Sequence, residues 1–462
     1  NTEQGFMDAL YGIYVNMGKS DLYGGTLQTA LDMTAQYYSY YDISECPYGH
    51  YQTFEYEHPS CTAISDALWM RIYYCIGLTN NLLKYLDKPE AVQICSNYDY
   101  LRGEALALRA YLHFELIRIF APDVKKNPEY KSIPYRKTFS PDIEPQLKVK
   151  EVYQEILADL TEAKQLLSND VIRTNGPDWL GESEKKEESD DVTDKNEGYY
   201  TSDFLKTRKY RMNYYAVLGT LARVHLTLGT TDDMEKAYDY AMEVIESGKF
   251  RPIQEEHILV SGEQAKYRDI LFTDEFIFGL YSAQVDAFYK SNFDESYGVK
   301  KILINKLSDI YGQGTRDLRQ THWFKTSWGT SYLLKHNADL EYAKEKVRMI
   351  TLAEMYYIAA EAHPAEAYDL LEEILPSREI HSSLPVNAGR TEVLTEVLKE
   401  YRKEYIGDGQ FFYAYKRLIE EEAAILPLGI NIPNENKVLV WPLPQDEIKY
   451  GDRESGIWKT EK

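Results

Sequence analysis

Residues 101–120 read LRGEALALRAYLHFELIRIF, and they constrain the fold more than any other stretch of the chain. Leu101, Ala105, Leu108, Leu112, Leu116 and Ile119 recur every three or four residues. That spacing lines them up along one side of an α-helix about 30 Å long, at about 1.5 Å per residue. The Ala121-Pro122 step ends the helix, because proline disfavours helical geometry in the residue before it. A stripe of this length must be covered by other elements. Periodicity alone therefore predicts a buried helix and says nothing yet about its surroundings.

Further helices follow in pairs. Residues 213–228 place Tyr214, Leu218, Leu221, His225 and Leu228 in one stripe and stop at Gly229. A second helix is predicted over 234–247, capped by Asp232 and Asp233, burying Ala237, Tyr238, Ala241, Val244 and Ile245, and ending at Gly248. The pair resembles a degenerate tetratricopeptide hairpin, with Tyr215, Leu218, Gly219 and Ala222 near the W-L-G-Y positions of that repeat. Residues 348–363 with 364–375, and 101–120 with 152–167, have the same form. Between the pairs lie segments with little helical period. Residues 37–61 are rich in Tyr, Pro, Gly and His; 176–200 carry the charge run ESEKKEESDD at 182–191, which reads as a solvated loop. EFIFGLYS at 275–282 alternates and reads as a strand.

The residues interleaved in 101–120, namely Arg102, Glu104, Arg109, Tyr111 and Phe114, resemble the signature helix of the SusD/RagB family. EQGFMDALYGIYVNMGKSDLYG at 3–24 is similar to that family's first helix. ALWMRIYYCIGLTNNLL at 67–83 resembles its W-x-x-x-Y-x-x-I-x-x-x-N helix, with Trp69, Tyr73, Ile76 and Asn80 on the pattern. RMITLAEMYYIAAEA at 348–362, GDGQFFYAYKR at 407–417 and VWPLPQDEI at 440–448 are similar to later segments. Where many relatives read E-G-H-R-W-F-D-L-K-R, this chain has Asp408, Gln410, Phe411, Phe412, Tyr413 and Ala414 and keeps Gly409, Lys416 and Arg417. An Arg and an Asp are lost together, as a structural pair would be, since either one left alone and buried is costly.

The resemblance implies a mainly α, SusD-like fold in which tetratricopeptide-like helix pairs scaffold an irregular, loop-rich ligand face. One domain would span 1–462, with helix pairs within about 67–120, 150–167, 213–248 and 347–375. Loop-rich binding regions would fall at about 37–66, 168–210 and 275–346. The family consists of lipid-anchored nutrient-binding proteins on the outer face of the outer membrane, and a start at Asn1 with no Cys before Cys46 implies that the anchor is missing from this sequence. The implied partners are an oligosaccharide and a SusC-like TonB-dependent outer-membrane transporter, over which the protein acts as a lid.

A formal charge of −22 and a pI near 5.0 repel phosphate backbones, which argues against nucleic acid as a partner. No apolar run approaches the ~18–20 residues needed to span a bilayer. Four cysteines, Cys46, Cys61, Cys75 and Cys95, allow three pairings. An oxidising exterior permits a Cys46–Cys61 bridge, whereas Cys75 reads as a core thiol. Neither a zinc spacing nor a nucleotide, dinucleotide, serine-hydrolase or zincin motif is present. No cofactor, no metal and no catalytic residue are expected.

Tyr occurs 41 times against 15 Phe and 6 Trp. A flat apolar face with a polar tip suits a wet binding surface where sugar rings stack. The family's ligand stacks on aromatics from the loop before the Trp69 helix and from loops of the second half. The first source maps to Tyr40, Tyr41, Tyr48, Tyr51, Phe54 and Tyr56; the second maps to Tyr289, Trp323, Trp328 and Tyr332. Trp69 and Trp441 are assigned to structure, Trp441 within a strap that closes the core. Three alternatives stand beside sugar capture: a RagB-like peptide binder with a deeper cleft, a helical glycoside hydrolase, and a tetratricopeptide adaptor.

Overall fold

The computed structural model describes residues 2–181, 203–293, 302–304, 307–336 and 339–459; the charge run 182–191 lies outside them. Its principal helices are α1 (Glu3–Met17), α2 (Thr26–Thr34), α3 (Pro59–Leu86), α4 (Tyr98–Phe120), α5 (Val149–Leu166), α6 (Tyr214–Leu228), α7 (Thr231–Glu246), α8 (Leu352–Ala362), α9 (Ala367–Ile374), α10 (Arg390–Glu404) and α11 (Gln410–Leu418). The strands are β1 (Tyr38–Tyr40), β2 (Phe276–Tyr281), β3 (Ile302–Ile304), β4 (Phe324–Ser327), β5 (Thr330–Leu333) and β6 (Lys346–Thr351). From α3 to α9 each principal helix packs against the next. That is the stacking expected of tetratricopeptide-like pairs. The strands form three antiparallel pairs, β1 with β3, β2 with β6 and β4 with β5.

Two of the shifts from the expected boundaries have a clear physical cause. The predicted helix start at 348 is strand: Val347, Ile350 and Thr351 suit a pleated surface, β6 pairs with β2, and α8 begins only after Thr351, whose backbone is extended. Helix α7 starts earlier than the two aspartates suggest. Thr230 is the cap, its hydroxyl accepting the Asp233 N–H at 3.2 Å, and Asp232 and Asp233 sit in the first turn, where carboxylates favour the helix dipole.

Helix α4 is buried on all faces from Leu101 onwards, save half-buried Arg102, so its charged residues must be neutralised by neighbours. Glu104 accepts from Arg208, from Arg211 and from the Tyr14 hydroxyl (2.7 Å), and Arg208 also grips Asp170 at 2.7 Å. Arg109 pairs bidentately with Asp159 of α5, both bonds 2.7 Å, and its third arm reaches Asn80 of α3 at 3.1 Å. A second network centres on Glu404 at the end of α10. It accepts from Arg319 (2.9 Å), Arg348 (2.6 Å) and Arg378 (3.3 Å), while Arg378 also holds Glu275. Burial would raise the Glu404 pKa, but the guanidinium groups of Arg378, Arg348 and Arg319 outweigh it and hold the carboxyl well below its usual range.

All four cysteines are buried free thiols, so the Cys46–Cys61 bridge that an oxidising exterior would permit is not formed. Tyr51 ties that loop together instead, its hydroxyl donating to the Cys61 carbonyl at 3.0 Å. In α11 the positions where relatives keep an Arg and an Asp hold Phe411 and Ala414, both buried among apolar neighbours. Trp441 closes the core as a strap, its backbone N–H donating to the Ile119 carbonyl at the end of α4 (3.0 Å).

Two predictions follow from these buried groups. Replacing Glu404 with Leu leaves three guanidinium groups short of a partner and lowers unfolding free energy by about 3–5 kcal/mol in a denaturant titration. Glu454→Gln, at the exposed Lys131–Glu454 pair, leaves the midpoint unchanged. His113 is held neutral: its Nδ1–H donates to the Arg109 carbonyl (2.8 Å), Nε2 accepts the Arg136 N–H (3.0 Å), and burial pushes its pKa down to about 3. The unfolded chain takes up a proton near pH 6.5 and the folded chain does not. Stability contributed by His113 is therefore present above about pH 6.5 and falls by up to about 1.4 kcal/mol per pH unit below it. His113→Asn should flatten the dependence of unfolding free energy on pH between 6.5 and 3.

Candidate functional site

Strands β4 and β5 form a hairpin in which Ser327 faces Thr330, leaving Trp328 and Gly329 as a two-residue turn. Both have positive φ, 52° and 80°. This is the turn geometry that matches strand twist, and it favours Asn-Gly or Gly-Gly. An aromatic residue in the left-handed region costs about 1–2 kcal/mol. Trp328 nonetheless occupies it and is 102% exposed. Nothing in the fold needs that ring. Below the tip, Thr326 and Ser331 place hydroxyls 3.0 Å apart across the hairpin. Strand β3 packs against β5 on one side and pairs with β1 on the other, so the Tyr40–Tyr41 end of β1 belongs to the same strand cluster.

The ten aromatics expected at the ligand face divide sharply. Tyr41 is 63% exposed, and Tyr40 and Phe54 are half-buried, Tyr40 lying against Gly49. Tyr48, Tyr51, Tyr56, Tyr289, Trp323 and Tyr332 are buried, so these six rings are not displayed on an open platform in this structure. Trp323 and Trp328 stand at opposite ends of β4, one at its root and one at its tip. The Trp323 indole N–H donates to the Ile270 carbonyl at 2.6 Å, and its ring lies under the Lys335 ammonium at 4.0 Å. Tyr56 and Tyr289 donate to the carbonyls of Val438 (2.6 Å) and Gly407 (2.9 Å). Tyr48 meets the Thr26 hydroxyl at 3.3 Å, and burial pushes its phenol up to about 12. The Tyr289 ring also stacks on His336 at 4.1 Å.

High tyrosine content thus has a structural cause. Tyr37, Tyr73 and Tyr311 likewise donate to backbone carbonyls, those of Arg402 (2.6 Å), Pro134 (2.8 Å) and Lys403 (2.7 Å). Each ring packs on or in the core while its hydroxyl donates to a carbonyl in a loop or at the end of a helix. Of the ten, those left facing solvent are Trp328 and Tyr41, with Tyr40 and Phe54 partly accessible. Trp179 is not among the aromatics picked out above, yet it is half-exposed in a polar cleft. Its signal, an indole just after Gly176-Pro177 where no amphipathic stripe requires it, is of the same kind as that of Trp328.

Among the described residues no group of three or more His, Cys, Asp or Glu side chains is arranged to hold a metal ion. No described helix is long and apolar enough to cross a membrane.

The two tryptophans predict opposite outcomes. Trp323→Ala empties a core site and removes a buried donor, and should lower unfolding free energy by about 3–5 kcal/mol. Trp328→Gly removes an exposed ring from a strained position, and thermal unfolding should show an unchanged or slightly raised midpoint.

Residues 15–176 match the family SusD-like_3, described as starch-binding associating with outer membrane. No curated protein matches the chain. Solved structures match along its whole length. A SusD superfamily protein from Bacteroides thetaiotaomicron is 20% identical, with 98% of each chain covered and a TM-score of 0.70. One from Bacteroides vulgatus is 20% identical over 100% of both chains, also at 0.70. A SusD-like carbohydrate binding protein from Bacteroides vulgatus is 18% identical, covering 90% of this chain and 83% of its own, at 0.66. At these identities the structures establish a shared fold, that of the SusD superfamily structures, and the family match is confined to residues 15–176.

Proposed function

We propose that this protein captures an oligosaccharide at the outer-membrane surface without cutting it and delivers it to a SusC-like TonB-dependent transporter. The observation that carries the reading is Trp328, a fully exposed indole held at the tip of a hairpin in a conformation that stability alone disfavours. An aromatic face offered to water on a stiff turn is suited to the C–H face of a sugar ring. Tyr41 and the half-buried Tyr40 supply further stacking surface in the same strand cluster, and the Thr326 and Ser331 hydroxyls supply polar partners for ring hydroxyls. The family description, starch-binding associating with outer membrane, and the carbohydrate-binding Bacteroides vulgatus structure support the same ligand class. On this reading the chain is lipid-anchored on the outer face, and Tyr40, Tyr41, Phe54 and Trp328 remain its ligand-binding candidates.

One shallow ring contributes on the order of 1 kcal/mol beyond area burial, so binding to a single site is weak and is best detected with polymers. In native affinity gels cast with a panel of polysaccharides, the wild type should be retarded by at least one glycan. Trp328→Ala should lose most of that retardation at unchanged unfolding midpoint, and no new reducing ends should appear in the glycan. Release of reducing ends would show a hydrolase, and retention by peptides in place of glycans would show a peptide carrier.

A further inference from the structure

A second concave surface lies in the loop region that follows α5. The turn after the short helix Ile172–Asn175, the Gly248–Arg251 stretch after α7 and Asp274 ahead of β2 enclose a cleft of about 450 Å³. That is the size of an ordinary small-ligand site. Gly176 and Gly248 turn the chain at its edges with φ of 88° and 62°, in the region open to glycine. Trp179 forms one wall. Its ring is half-exposed and, among the described residues, belongs neither to the hydrophobic core nor to the residues packed on it.

The polar groups around that ring are of both signs. Asp178 is held by Lys209 at 2.7 Å and Asp274 by His257 at 3.0 Å, so the two carboxylates are fixed in place. Lys249 donates to the Thr174 carbonyl at 2.9 Å and keeps its other protons free. The Arg251 guanidinium and the Asn175 amide make no side-chain hydrogen bond or ion pair among the described residues. Beyond the Asp178–Lys209 pair the surface continues to Tyr210 and Tyr281, whose ring centres are 4.4 Å apart, with Tyr281 55% exposed.

We propose that this cleft is a second saccharide subsite, resting on the carbohydrate-binding reading above. Trp179 offers the stacking face. Arg251, Lys249 and Asn175 donate to ring hydroxyls, and the oxygens of Asp178 and Asp274 accept from them. Cations and carboxylates nearly cancel within the cleft, which gives no selectivity for phosphate and suits a polyhydroxylated ligand needing donors and acceptors together.

The test uses the glycan that retards the wild type in the affinity gel, and compares Trp328→Ala, Trp179→Ala, Arg251→Ala and the Trp328→Ala/Trp179→Ala double variant at equal unfolding midpoints. Trp328→Ala should keep a residual retardation. Adding Trp179→Ala should weaken that remainder about three- to tenfold, the loss of one stacked ring, and Arg251→Ala should weaken wild-type binding as well. If Trp179→Ala changes retention in neither background, the cleft is not a subsite, and the function assigned to Trp328 stands. If no glycan retards the wild type, the carbohydrate reading falls and takes the subsite with it.

Discussion

A carboxylate taken out of water must meet charge of the opposite sign, and in this protein Glu104 and Glu404 each meet more than one guanidinium. Glu104, on the helix buried from all sides, collects Arg208 and Arg211 from the segment ahead of α6, and Arg208 reaches on to Asp170. Glu404 collects Arg319, Arg348 and Arg378 from three separate stretches of the second half. Such pairs do not surpass apolar packing as a source of stability. Their effect is to penalise every arrangement in which a partner is missing, and all five arginine partners lie outside the principal helices. The Trp328 hairpin shows the consequence. Its approach is pinned by Arg319 on Glu404. Its exit is pinned by Lys335, whose ammonium donates to the Glu404 and Ile406 carbonyls, each at 3.0 Å, and to Asp408 at 2.7 Å. Burial lowers the Lys335 pKa to about 8, and Asp408 opposes that shift. The Trp328 ring at the tip is fully exposed while both roots are fixed.

Tyrosine does the complementary work. Loops and helix ends carry carbonyls that the regular elements leave unpaired, and burying them unbonded costs free energy. Phenylalanine would fill the same volume and leave them unpaired. A phenol fills it and donates. The bonds from Tyr37 to Arg402, Tyr56 to Val438 and Tyr289 to Gly407 each join segments far apart in sequence, so the tyrosines act as cross-links between the first hundred residues or the middle of the chain and its end.

This explains what was legible in the sequence. The Trp69, Tyr73, Ile76 and Asn80 pattern is readable because its spacing is local to one helix and its partners are close at hand: Asn80 donates to the Arg136 carbonyl at 3.0 Å and Tyr73 to that of Pro134. The stripes of α4 and α6 are readable for the same reason. Tyr41 and Tyr48 both lie in a tyrosine-rich loop without helical period, yet one faces water and the other the core, where Tyr48 meets Thr26 and Phe288, whose ring centre lies 6.4 Å from its own. Strand β6 was hidden within a helical pattern, since its partner β2 lies some seventy residues earlier. Trp328 stood out because Gly329 follows it and no stripe requires it; Trp323, under the same reasoning, belonged to the network around Glu404.

The display of Trp328 sets a physical limit on what it can do alone. A millimolar complex corresponds to about 4 kcal/mol, and one partly exposed ring supplies about 0.5–1.5 kcal/mol beyond the area it buries. On the proposed reading, a saccharide gripped only at the hairpin tip would be held weakly. Useful retention therefore requires a second contact on the same ligand, and linkage through the glycan makes that second contact effectively intramolecular, raising overall affinity by orders of magnitude without a deep pocket. A rigid frame is the condition for this gain, because two contacts reinforce each other only where their separation is held constant. The ionic clamps on both roots of the hairpin and the phenol cross-links beneath the loops provide that constancy, which is why the stiffness of the buried charges and the exposure of a single indole belong to one design.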